Sequence, residues 1–183
     1  MSDITVLLQQ AGADRAALDR LFEVLYSDLR RMAHARLAEH SRNTLLDTTS
    51  LAHEAYLRLH NAGRIDLDSR GRFMAYVSQV LRAIIVDFAR KRNAQRRGGH
   101  DQHVTLNTLV AEEVGAGDSD IERINDALIE LENTDPRLKQ VVEMRYFGGM
   151  TEPDIAEALG ITERTVRRDW KRAQLLLSVA LRR

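Results

Sequence analysis

The segment from Thr151 to Ala173, T-E-P-D-I-A-E-A-L-G-I-T-E-R-T-V-R-R-D-W-K-R-A, constrains this chain more than any other, because it carries the signals of two short helices joined by one glycine turn. Thr151 is placed to cap the first helix, whose opening turn holds Glu152, Pro153 and Asp154. The two carboxylates complement the positive end of the helix dipole, and proline suits a position whose N–H has no intrahelical partner. Ile155, Ala156 and Leu159 form one apolar stripe, Gly160 supplies the turn, and Ile161 fills the angle between the helices. Thr162 caps a second helix along which Val166, Trp170, Ala173 and Leu177 recur at helical spacing and face inward. Arg164, Arg167, Arg168 and Lys171 are left on the outer face, with Arg172 beside them. Such a face fits a major groove, where guanidinium forks pair with guanine edges and other cations meet phosphates. An ordinary amphipathic helix with a solvated basic face has the same charge pattern. Cap, glycine turn and one-sided charge together favour DNA.

With 2 prolines in 183 residues and abundant leucine and alanine, the chain is expected to be all-α. That length allows one domain or two small ones. There is no cysteine, which excludes disulfides and cysteine metal sites and suits a reducing cytoplasm. No apolar run is long enough to span a bilayer, and Asp3 and Gln9 interrupt the apolar start where a signal peptide would need continuity. A soluble cytoplasmic protein is expected. Formal net charge is 0, yet the charges are segregated: Arg82 to Arg97 holds six arginines and lysines against one aspartate, whereas Asp101 to Glu122 holds six acids and no lysine or arginine.

From Asp14 to Ala38, Leu18, Leu21, Phe22, Leu25, Leu29, Met32 and Leu37 follow the spacing of a long amphipathic helix. A second helix carries Leu51, Ala52, Ala55, Tyr56 and Leu59 and ends near Asn61 and Gly63. The third and cleanest carries Phe73, Tyr76, Val77, Val80, Leu81, Ile84, Ile85 and Phe88, and runs into the basic tail R-K-R-N-A-Q-R-R. These three predict a first domain over residues 1–97. Residues 98–120 lack a sustained period and hold Gly115 and Gly117 among acids and small polar residues, so they are expected to be a flexible linker. Ile121, Ile124, Leu128 and Leu131 open a second domain, residues 121–183. Its next helix starts at Asp135 and Pro136, passes Leu138, Val141, Val142 and Tyr146, and ends at Gly148 and Gly149 before the helix-turn-helix.

Two helical domains, a linker and a closing helix-turn-helix resemble sigma factors of the extracytoplasmic-function class within the sigma-70 family. The run from Phe73 to Asp87 is similar to that family's promoter-melting helix, F-R-A-W-L-Y-x-I-A-R-N-x-x-x-D, with Phe73, Arg82 and Asp87 in register, Tyr76 in place of the usual tryptophan and Ala83 in place of asparagine. The helix-turn-helix is similar to G-I-S-E-x-T-V-K-S-R-L-x-R-A at Gly160, Ile161, Glu163, Thr165, Val166, Arg172 and Ala173, with Trp170 where a core leucine is usual. The resemblance implies sigma region two in the first domain and sigma region four in the second. It further implies a binding activity and no catalysis: attachment to core RNA polymerase, through the clamp helices of its largest subunit and its flap region, and placement of that enzyme on promoter DNA. Arg82, Arg90, Lys91 and Arg92, with Arg96 and Arg97 behind them, would then form a phosphate-seeking surface. The resemblance also assigns capture of flipped promoter bases to the loop from Asn61 to Arg72, which holds no aromatic residue, so stacking would fall to Phe73, Tyr76 or an arginine plane.

One departure from the family pattern carries a consequence. The core-binding helix of the family opens D-A-E-D-L-V-Q-E, and the corresponding residues here are Asp47, Thr48, Thr49, Ser50, Leu51, Ala52, His53 and Glu54. Asp47 and Glu54 keep their charges, while Thr49 and Ser50 replace the central acidic pair. The loss of an interfacial charge partner commonly costs about 2–5 kcal/mol. Phosphorylation of Thr48, Thr49 or Ser50 by a serine/threonine kinase would add about two negative charges each and restore the electrostatics. The same three residues also suit plain helix capping.

His100 and His103 lie close together but in a segment without preformed geometry, so no metal site is expected, and no cofactor. No glycine-rich phosphate loop and no nucleophile–base motif is present. Two other functions fit part of the pattern: a helix-turn-helix repressor or activator that acts without being a sigma subunit, and a helical adaptor that never touches DNA.

Overall fold

A computed structural model describes residues 6–7, 10, 14–37, 48–62, 69–97 and 118–182. The described elements are seven α-helices and one π turn, with no strand among them. In chain order they are α1 (Arg15–Leu37), α2 (Thr48–Asn61), α3 (Arg70–Arg97), α4 (Asp118–Thr134), α5 (Pro136–Val142) running into the π turn Glu143–Phe147, α6 (Glu152–Leu159) and α7 (Glu163–Arg182). The protein is all-α, as its sequence leads one to expect. Helix α4 begins at Asp118, within the stretch predicted as linker. Residues 98–117, including His100 and His103, lie outside the described residues, as do Asp47 and residues 63–68.

The first three helices meet as their periodicity requires. Asp14 accepts from the Ala16 N–H at the start of α1, and Ala17, Leu21 and Leu25 are buried from that helix. Leu51, Ala52, Ala55 and Leu59 bury the inner face of α2. Polar clasps at the rim set their angles: Tyr56 donates to Asp19 at 2.8 Å beneath a Phe22–Tyr56 ring contact of 4.4 Å, and Arg70 reaches Asp28 at 2.6 Å.

Helix α3, 28 residues long, is the central element and is buried on two faces. At about 100° per residue, Phe73, Val77, Ile84 and Asp87 share one side, and Asp87 pairs with Arg58 of α2 at 2.8 Å. Gly71, Ser78, Arg82, Ala89 and Asn93 share the opposite side, which packs on the second half of the chain. There Arg82 bonds Asn125 of α4 and Asn93 bonds Glu122, each at 2.8 Å, and Ser78 lies 3.8 Å from the Met150 sulfur. One apolar cluster therefore runs from Leu21 of α1 to Leu177 of α7.

In the second half, Ile121, Ile124 and Leu128 are buried from α4, and Asp135 caps α5 by accepting from Leu138 N–H at 3.1 Å with Pro136 behind it. The helix then widens into the π turn, closed by Gly148 N–H to the Glu143 carbonyl at 3.0 Å. The extra residue brings Met144, Tyr146 and Phe147 into the core together, and it also buries Glu143, with a side chain only 1% exposed. Sequence periodicity foresees a continuous α-helix here; a single added residue per turn leaves no mark that a 3.6-residue pattern detects.

Candidate nucleic-acid and polymerase interface

The helix-turn-helix forms from local chemistry. Thr151 accepts from the Asp154 N–H at 3.3 Å, and the Asp154 carboxylate accepts from the Thr151 N–H at 3.2 Å, a reciprocal capping box. Gly160 ends α6 with φ of 64°, a left-handed conformation that glycine adopts without steric cost. Thr162 opens α7 by accepting from Thr165 N–H at 3.3 Å. Val166, Ala173 and Leu177 are fully buried. Trp170, expected inward with them, sits at the margin: it packs on the core while the Arg145 guanidinium lies 5.9 Å from its ring centroid. Its neighbour Asp169 is buried, 3% exposed, and held by Arg137 at 2.9 Å.

The outer face of α7 is solvent-facing throughout: Arg164, Arg167, Arg168, Lys171 and Arg172 are all exposed. Three of these are already engaged. Arg167 clasps Glu152 at 2.8 Å, Arg168 leans on Asp169 at 3.4 Å, and Arg172 reaches Asp135 at 2.8 Å. The hydrogen bond from Arg167 holds the Glu152 carboxyl below the usual carboxylate range, and that carboxylate in turn raises the guanidinium. Arg164 and Lys171 form no ion pair among the described residues. The face thus offers two unengaged cations flanked by arginines already oriented against acids, a geometry suited to phosphates and base edges.

The basic residues of α3 divide. Arg90 and Lys91 are exposed, and the side chain of Arg92 lies outside the described residues. Arg82 is not on that surface. Its side chain is 18% exposed and lies in the seam with the second half, its Nε 3.0 Å from Glu143 Oε1. Lys139 Nζ approaches the same carboxylate at 3.8 Å. Burial pushes the Glu143 carboxyl up, against the pull of Arg82 and Lys139. At the start of α2, Thr49 and Ser50 are exposed, and the side chain of Thr48 lies outside the described residues. Behind them Glu54 binds Arg58 at 3.1 Å, and Arg58 also holds Asp87, so α2 is keyed to α3 through one guanidinium.

A family model described as ECF sigma factor matches residues 1–183. The chain belongs to the ECF sigma factors. No curated protein matches it significantly. Family membership selects the sigma reading over the stand-alone repressor, activator and adaptor: ECF sigma factors bind core RNA polymerase and promoter DNA and direct transcription initiation by binding, without catalysis. No group of acids and histidines able to hold a metal occurs among the described residues, and none of their helices is long and apolar enough to cross a membrane. Residues that sequence reasoning does not place at the contact between α3 and the second half are Ser78, Asn125, Glu143 and Gly148. For Ser78 the signal is the helical spacing of small and polar residues, Gly71, Ser78, Arg82 and Ala89, along α3; Asn125, Glu143 and Gly148 carry no such signal.

Proposed function

We propose that this ECF sigma factor is held in reserve by a core-binding helix lacking its central acids, and is switched on when a serine/threonine kinase phosphorylates Thr48, Thr49 or Ser50. The observation that carries this reading is the first turn of α2: it contains no acidic residue, while Thr49 and Ser50 are exposed there. A phosphate at this point adds negative charge where the clamp helices of polymerase are expected to be basic, and it also complements the positive end of the α2 dipole. The Arg58 clasp on Glu54 and Asp87 gives the recharged helix a rigid seat. On this reading Asp47, Thr49, Ser50 and Glu54 meet the polymerase. Residues 1–97 act as sigma region two and residues 121–183 as region four, with Arg164, Arg167, Arg168, Lys171 and Arg172 on the upstream promoter element.

The missing pair accounts for about 2–5 kcal/mol, or roughly 30-fold to several-thousand-fold in affinity for core enzyme. Pull-down of core polymerase and run-off transcription decide the matter with wild type, Thr49→Ala/Ser50→Ala and Thr49→Asp/Ser50→Asp, each before and after kinase treatment. Tight binding by the aspartate variant and by phosphorylated wild type alone supports the switch. Equal tight binding by all three without kinase treatment removes it.

A further inference from the structure

We infer that Glu152 sets promoter specificity by positioning Arg167: their clasp presents the guanidinium end-on to the major groove, where it reads one guanine, while Arg164 and Lys171 neutralise phosphates. This rests on the placement of α7 on the upstream promoter element, and it goes further by naming the cation that reads a base and the acid that aims it.

The clasp selects one edge of the guanidinium. Arg167 Nε and Nη2 both donate to a single oxygen, Glu152 Oε2, at 3.1 Å and 2.8 Å. Of the five N–H groups in the guanidinium plane, these two bonds use the side edge formed by Nε and Nη2. The end edge, one N–H from Nη1 and one from Nη2, is left whole. That edge is a fork of two parallel donors, the complement of guanine O6 and N7. The neighbouring arginines are held differently. Arg172 engages Nη1, an end-edge nitrogen, on Asp135 at 2.8 Å, and Arg168 makes one long contact of 3.4 Å from Nε to Asp169. Arg164 and Lys171 form no ion pair among the described residues, so they meet phosphates as plain cations.

Position agrees with edge. Arg167 stands in the second turn of α7, and a helix-turn-helix reads base edges with the N-terminal residues of its second helix. Glu152 opens α6, between the Thr151 cap and Pro153, so the acid is fixed to the same rigid unit. Its side chain is 22% exposed and that of Arg167 57%, which puts the carboxylate at the base of the clasp and lets the guanidinium project. The hydrogen bond from Arg167, with Arg145 behind it, keeps the Glu152 carboxyl below the usual range and therefore charged at neutral pH. Arg145 is itself seated 5.9 Å from the Trp170 ring centroid. An exposed pair of this kind adds little to stability. Its effect lies in order: a loose arginine loses rotamer freedom on meeting a base, whereas one already clasped has lost it beforehand. The same carboxylate repels phosphates, so it raises discrimination at the expense of sequence-independent affinity.

Selection from a duplex library randomised over one helical turn, using the full chain at low salt, ranks the base preferences of wild type, Glu152→Ala, Glu152→Gln, Arg167→Ala and Arg167→Lys. Wild type should prefer guanine at one position by about 5-fold to about 150-fold, the range of one bidentate arginine contact. Arg167→Ala and Arg167→Lys should both lose that preference, since lysine keeps the charge and has no fork. Glu152→Ala should lose most of it, and Glu152→Gln, which retains an acceptor oxygen, should keep part. Anisotropy titration of a random duplex adds a readout that a merely structural role would not move in this direction. Glu152→Ala should bind that duplex more tightly than wild type, with the slope of log affinity against log salt steeper by about 1, because the released Arg167 meets a phosphate. Absence of a guanine preference in wild type, its survival in Glu152→Ala or Arg167→Lys, or a fall of both preference and random-duplex affinity in Glu152→Ala overturns the positioning role. Binding indifferent to Arg164→Ala/Lys171→Ala would instead show that α7 is not the face on DNA, which removes the placement itself and the role of Glu152 with it.

Discussion

Replacing Gly148 by alanine puts a methyl group where the fold has no room, and the cost is predictable from the atoms around it. The new Cβ would lie 2.1 Å from Ser78 Oγ, 2.7 Å from the Met144 carbonyl oxygen and 3.0 Å from Ser78 Cβ, where ordinary contact begins near 3.4 Å. Ser78 is fully buried and its hydroxyl donates to the Met74 carbonyl at 2.8 Å, so turning it away breaks a buried hydrogen bond. Overpacking of this kind costs about 1–3 kcal/mol and the hydrogen bond about 1 kcal/mol. Gly148 sits at φ of −85°, which alanine adopts readily, so loss of glycine's freedom in the unfolded chain returns about 0.4–1 kcal/mol. The net destabilisation is about 2 kcal/mol, a shift of about 1 M in the urea midpoint at a typical slope of about 2 kcal/mol/M. Adding Ser78→Ala removes the hydroxyl collision and leaves the Met144 carbonyl in place, so about 1 kcal/mol should return as coupling between the two sites. Urea denaturation followed by circular dichroism on the four members of the cycle measures both quantities. A Gly148→Ala cost below about 0.5 kcal/mol, or no coupling to Ser78, would refute the close approach of α3 to the π turn.

Other expectations concern the capping box, the recognition face and the buried carboxylate. Thr151→Ala removes one half of the reciprocal cap and should lower stability by about 1 kcal/mol, read as a fall of roughly 3 °C in Tm. Arg164→Ala/Lys171→Ala should weaken binding to duplex promoter DNA and reduce the slope of log affinity against log salt by about 1 for each cation that had neutralised a phosphate; an unchanged slope in fluorescence anisotropy titrations would assign those cations to solvent. Glu143 carries a raised pKa in the folded state, so the native protein holds that proton more tightly than the unfolded chain, and its contribution to stability grows as pH falls through the window between the raised and ordinary values. Urea midpoints of wild type and Glu143→Gln, compared from about pH 7 down to about pH 4, should show wild type gaining on the variant, and a constant difference would contradict the burial of an ionisable carboxyl.

Much of the fold was legible in the residues because its causes are local. Thr151, Asp154 and Gly160 act on backbone groups within a few positions, so the turn between α6 and α7 can be read without any knowledge of what packs on it. The stripe Phe73, Val77, Ile84 on α3 and Leu51, Ala55, Leu59 on α2 announces burial through apolar repetition alone. The missing acids at the head of α2 are likewise a fact of composition, visible as Thr49 and Ser50 where the family pattern has charge.

Tertiary packing decided the rest, and it decided which cations are available. In sequence Arg82 belongs with Arg90 and Lys91 as one more member of a basic run, but in space its partner is Glu143, far along the chain and buried at the start of the π turn. The second face of α3 is spelled in glycine, serine, arginine and asparagine, residues that normally mark a solvated surface, so hydrophobic periodicity passes over it. Small side chains bury by permitting close approach, and polar ones by finding a partner. Neither property can be judged until the opposite surface is in place. Sequence alone determined most of the helices, the caps of the helix-turn-helix and which charges the chain lacks; the structure determined the early start of α4 at Asp118, the π turn and which charges meet, because pairing depends on distance between segments that local chemistry does not encode.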